Sequence, residues 1–133
     1  MSKDIMKTHL FKLDLLVRDG ARMATFYEAL FGVPFLAHEM AGHVFRVGQV
    51  PGLCTLQLVP AALMDVPISG LNRFQLNLEL DSGAALPEGL LAAGGEVDEP
   101  PQRDGDRLLW SVRDPEGNSL VIQCPDAVPV IEL

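Results

Sequence analysis

One order of elements occurs twice along this chain. From His9 to Val59 the residues read as a strand, a helix and three further strands, and from Phe74 to Cys124 the same five elements return in the same order. A repeat of roughly fifty residues points to two copies of one supersecondary unit, each burying its apolar face against shared structure. At 133 residues both copies fit one domain, with the first unit over about residues 8–60 and the second over about 72–125. A chain this long removes roughly two thirds of its unfolded surface from water, enough for a core without disulfides or metal.

Alternation and punctuation set the individual elements. His9 to Val17 alternates, so Leu13, Leu15 and Val17 face one way and Lys12, Asp14 and Leu16 the other. After the turn Arg18-Asp19-Gly20, the residues Met23, Phe26, Tyr27, Leu30 and Phe31 recur at helical spacing. Asp19 or Gly20 stands near the N-cap, and Gly32, Val33 and Pro34 stop the helix. Strands are expected at Phe35 to Met40, His43 to Val47 and Leu53 to Val59, followed by a connection from Pro60 to Leu71. In the second unit Phe74 to Asp81 sets Phe74, Leu76, Leu78 and Leu80 against Gln75, Asn77 and Glu79, which marks a strand with one apolar and one polar face. A short helix over Leu86 to Ala93 stops at Gly94-Gly95. Strands at Glu96 to Glu99, Arg107 to Val112 and Ser119 to Cys124 complete the unit, the last two joined by the turn Asp114-Pro115-Glu116-Gly117.

Composition narrows the function classes. The formal charge of −8, with a pI near 4.7 and no cluster of Lys or Arg, opposes a nucleic-acid partner. Lys3, Asp4, Lys7, Lys12 and Asp14 interrupt any apolar run near the start, so neither a signal peptide nor a membrane span is expected. Cys54 and Cys124 are too few and too far apart for a zinc spacing or a disulfide framework, and read as reduced thiols of a cytoplasmic protein.

Paired βαβββ units, Asp19 seven residues before Phe26-Tyr27, the Leu30-Phe31-Gly32 that follows, Gly94-Gly95, and Asp114-Pro115-Glu116-Gly117-Asn118 before the last strand together resemble one family. It is the glyoxalase, bleomycin-resistance and extradiol-dioxygenase superfamily, the vicinal oxygen chelate proteins. The resemblance runs from about Thr8 to Pro125. It implies an α+β fold in which two βαβββ modules form a curved mixed sheet, a cup with the helices on its convex face, and it implies a homodimer. On the alternation above, Lys12, Asp14, Thr55, Gln57, Gln75, Asn77, Glu79, Val121 and Gln123 are directed into the cup.

Metal-using members of that superfamily carry a His, Gln or Glu on the first and last strand of each module. Here those positions fall on Lys12, Gln57, Gln75 and Val121. A protonated lysine has no lone pair and valine offers no donor atom, so no metal and no other cofactor is expected there. His9, His38 and His43 each have a surface or opposite-face explanation, and Asp14 or Glu79 is accounted for by an ion pair with Lys12.

The resemblance therefore implies a small-molecule-binding protein, of the kind that sequesters a drug or metabolite in a groove. Lys12, Asp14, Gln57, Gln75, Asn77, Glu79 and Gln123 would be its orienting contacts, with Trp110, Phe35 and Phe45 as stacking faces. Acidic Glu79 and Asp14 would favour a cationic ligand. The alternative is a glyoxalase- or dioxygenase-like enzyme with a relocated metal, or one using Lys12 or Glu79 as acid or base. An internally satisfied hydrogen-bond network is the reading without a ligand, and the apolar tail from Ala127 to Leu133 offers a surface for a neighbouring subunit.

Overall fold

The computed structural model describes residues 9–64, 75–81 and 88–125. The first unit runs β1 (Lys12–Val17), α1 (Gly20–Phe31), β2 (Phe35–Met40), β3 (His43–Val50) and β4 (Cys54–Pro60). The second runs β5 (Leu76–Glu79), α3 (Glu88–Ala92), β6 (Glu96–Val97), β7 (Gln102–Asp104), β8 (Arg107–Arg113) and β9 (Ser119–Pro125). Between them lies α2 (Ala61–Met64), a single helical turn inside the stretch expected to be only a connection. Part of that connection, Phe74 and the tail from Ala127 to Leu133 lie outside the described residues.

The strands form two open mixed sheets, ordered β1-β4-β3-β2 and β5-β9-β8-β6, with β7 pairing β8. In each, the first and last strands of the unit lie side by side and parallel, β1 on β4 and β5 on β9. Parallel neighbours need a crossover, and the intervening helix supplies it. β7 was not expected: its short polar segment gains regular structure only by pairing with β8.

Alternation in the sequence becomes alternation in burial. Along β1 the side chains of Leu13, Leu15 and Val17 turn toward the core, while Lys12, Asp14 and Leu16 are exposed. Leu56 and Leu58 of β4 and Leu120 and Ile122 of β9 are buried, and the residues between them, Gln57 and Val121, are only partly covered. The buried set forms one cluster that draws on both units: Met23, Phe26 and Tyr27 of α1, Leu90 of α3, and Val112, Leu120 and Ile122. Full burial of each such large side chain stabilises by roughly 1.5–3 kcal/mol.

Helix α1 begins at Asp19, whose side chain accepts a hydrogen bond from the Arg22 amide at 3.1 Å, and ends at Gly32, whose φ of 68° lies in the left-handed region. Both signals were legible in the sequence. The second unit then clasps this helix. The Glu116 carboxylate accepts hydrogen bonds from the amides of Arg18 and Asp19, each at 2.8 Å. Tyr27 donates its hydroxyl to buried Asp114 at 2.7 Å, and Asp114 also accepts from the Glu116 and Asn118 amides and from Asn118 Nδ2. Burial, followed by the nearby Asp114 carboxylate, holds the Tyr27 phenol well above its ordinary value.

Candidate functional site

The faces opposite the helices carry the polar residues. On β1 and β4 the register sets Lys12 beside Thr55 and Asp14 beside Gln57. Lys12 Nζ lies 3.7 Å from Asp14 Oδ1, and Gln57 Nε2 donates to the same oxygen at 3.3 Å. The lysine and aspartate side chains are 39% and 48% exposed, so neither is desolvated, and Lys12 is a neutralised surface cation rather than a buried base. Thr55 donates to Gln49 Oε1 at 2.7 Å from the neighbouring β3.

The second sheet repeats this layout with different chemistry. Asn77 lies beside Val121 and Glu79 beside Gln123. By the same register Gln75 falls next to Ser119, and its amide donates to Ser119 Oγ at 2.7 Å. Glu79 pairs with Arg107 at 3.0 Å across β9. The two registers correspond: Lys12 is two residues out of step with Gln57, as Gln75 is with Val121, so these four positions are structurally equivalent pairs.

The expected set thus separates into two clusters. Lys12, Asp14 and Gln57 come together on one sheet, and Gln75, Asn77, Glu79 and Gln123 share a face on the other. Among the described residues, the polar contacts of each cluster stay within its own sheet. The ion pairs correct the electrostatic expectation. Asp14 is balanced by Lys12 and Glu79 by Arg107, so neither carboxylate is an uncompensated lure for a cation.

Trp110 does not join the set. It lies opposite Ile122, shares the core-facing side of β8 and packs against the buried cluster, whereas Gln123 faces the other way beside Leu109. A strand side chain cannot serve both faces, and the apolar bulk of indole is accommodated by the core. Phe35 is buried with its ring over Gly48, and Phe45 is buried as well, so neither presents a stacking face. Arg107, Leu109 and Ser111 take the open side of β8 instead. Sequence reasoning passed over Arg107 and Ser119 as cup residues. Alternation along β8 and β9 was the available signal, but their facing needs the β8–β9 register.

A family model described as a glyoxalase-like domain matches residues 11–123, and the chain belongs to that family. Solved structures carry the same fold. A glyoxalase-related enzyme from Fulvimarina pelagi is 21% identical, with a TM-score of 0.69 over 94% of this chain and 94% of that one. A glyoxalase/bleomycin resistance protein from Albidiferax ferrireducens T118 is 22% identical, with a TM-score of 0.68 over 86% of this chain and 97% of that one. A glyoxalase/bleomycin resistance protein/dioxygenase family enzyme from Burkholderia phytofirmans PsJN is 20% identical, with a TM-score of 0.65 over 89% and 99%. No curated protein sequence matches the chain.

Membership raises the question of a metal, and the side chains at the four equivalent positions do not fit one. Lys12 has no lone pair to give while it is paired with Asp14, and Val121 has no donor atom. Gln57 and Gln75 leave two neutral amide oxygens, a poor first shell for a transition metal. Among the described residues no three His, Cys, Asp or Glu side chains come together in a metal-holding group. His38 and His43 lie on β2 and β3, and His9 precedes β1. Burial pushes the Cys54 thiol above its ordinary value, which disfavours the nucleophilic thiolate. No helix among the described residues is long and apolar enough to cross a membrane.

Proposed function

We propose that the chain is a metal-independent small-molecule-binding protein of the glyoxalase and bleomycin-resistance type, acting in the cytoplasm as a homodimer to sequester a drug or metabolite. The observation that carries this reading is the residue set at the four equivalent positions, where an ammonium and an isopropyl group stand among two amides. Such a set cannot hold an ion for two substrate oxygens, yet it offers donors and acceptors to an organic ligand. The amides of Gln57, Gln75, Asn77 and Gln123 supply orienting hydrogen bonds, and the Lys12–Asp14 and Glu79–Arg107 pairs supply charge of both signs. Two clusters on separate sheets support pairing of chains, since a second copy is a means of closing each half-cup. A content of two cysteines, too few for a disulfide framework, supports the compartment.

Elemental analysis joined to calorimetry tests the reading, with metal-free bleomycin as titrant. Binding is expected to survive chelator treatment unchanged, and Lys12→Ala and Glu79→Gln are each expected to weaken it about two- to fivefold, the scale of one exposed ionic contact. A stoichiometric transition metal whose removal abolishes binding overturns the proposal, and unchanged affinity in both variants removes these residues from the site.

A further inference from the structure

Strand β5 has two borders. One is hydrogen-bonded to β9, and the β5 segment, the end of α1 and the β3–β4 hairpin together line a cavity of about 640 Å³. That volume lies within the range of small-molecule sites, about 300–1,000 Å³. Leu30, Phe31 and Val33 from the end of α1, Leu53 from the hairpin, and Leu78 and Leu80 from the β5 segment give its wall apolar surface, and polar atoms contribute about as much.

The charge at its rim has one sign. Among the described residues, Glu79 and Asp81 are the charged ones that line the cavity, and no described Lys, Arg or His does so. Glu79 is 62% exposed and reaches Arg107 on the far side of β9, while Asp81 is exposed and forms no ion pair with another described residue. Helix α1 also ends at this wall with Gly32 as its C-cap and no basic residue in its last turn, so its terminal carbonyls add partial negative charge. A chamber with apolar patches and a negative rim favours a ligand with a hydrocarbon body and one cationic head, and disfavours the corresponding anion.

We propose that this cavity binds a small amphipathic ammonium ion, its body among Leu53, Leu80 and Phe31 and its nitrogen at Asp81. The cavity shares Asn77 and Glu79 with the cup contacts but not Lys12, Gln57 or Gln123, and the proposal does not depend on the function above.

Octylammonium, octanol and octanoate, each titrated into the full chain, provide the test, read by calorimetry and by backbone amide shifts. Octylammonium is expected to bind about two- to fivefold more tightly than octanol, with the difference shrinking as salt rises. Amide shifts are expected at Leu30 to Val33 and Val50 to Leu53. Asp81→Asn should erase the preference for the amine while leaving octanol affinity unchanged, and Leu53→Trp, which occupies the chamber, should weaken both. Equal affinity for amine and alcohol, shifts confined to Gln57 and Gln123, or no shift up to roughly millimolar ligand each overturns the proposal. Failure of the bleomycin titration leaves these outcomes unaffected, because Asp81 and Leu53, the residues varied here, take no part in that reading.

Discussion

Tyr27 and Asp114 are 87 residues apart in sequence and 2.7 Å apart in space. The aspartate is the buried charged residue of the described core, and it survives there because it accepts four hydrogen bonds, from Tyr27, the Glu116 amide, and the amide and side chain of Asn118. Tyr27→Phe removes one donor and leaves the carboxylate less compensated, so chemical denaturation is expected to show a loss of about 1–3 kcal/mol. The pH dependence follows from the raised phenol. Its contribution is fully present below about 10, the value of an unfolded tyrosine, and declines as pH climbs from there toward the higher folded value. Stability of the parent chain should therefore fall on that alkaline limb, and the Phe variant should lack this component. Matching alkaline slopes in the two proteins would contradict the assignment. The phenol's position on the core stripe of α1 was legible from helical spacing, but its partner was not, because nothing local in Asp114-Pro115-Glu116-Gly117 names a residue on a distant helix.

At the scale of elements, the two halves meet where side chains yield to backbone. Gly95 follows α3, and a Cβ there would fall 2.4 Å from the Phe26 ring and 3.0 Å from the carbonyl oxygens of Arg113 and Leu90. Two of those neighbours are backbone and the third is a buried ring, so none moves aside cheaply. Gly95→Ala is expected to destabilise by about 1–3 kcal/mol through overpacking, measured as a shift in the denaturant midpoint. A neutral result would mean that α3 does not press on α1 as described. In the sequence Gly94-Gly95 served only as a helix stop, whereas in the fold Gly95 also makes room for the Phe26 ring of α1. The β2–β3 hairpin shows a contrasting economy: Ala41 adopts a φ of 53° beside Gly42 at 78°, accepting left-handed strain to make a tight two-residue turn.

Across the whole molecule, the two polar clusters raise the question of assembly. Leu36 and Met40 are 67% and 52% exposed on the same side of the first sheet as Gln57, and Phe11 is 73% exposed beside the start of β1. A homodimer that covers part of this apolar surface is the expectation, and sedimentation equilibrium should return twice the chain mass of 14.4 kDa at micromolar loading. A mass of one chain across that range would leave each half-cup open and defeat the shared-site reading. The sequence by itself determined the βαβββ order of the two units apart from α2 and β7, the facing of β1, β4, β5 and β9, and the identity of the residues at the four equivalent positions. These are local properties: strand alternation has a period of two, caps and stops act within a few residues, and chemical identity needs no coordinates. Only the tertiary structure decided that Glu79 meets Arg107, that Trp110 belongs to the core, and that the turn after β8 clasps α1. Each of those depends on register or packing between segments far apart in the chain, and a one-residue change of register would have turned Trp110 to the open face without altering a letter of the sequence.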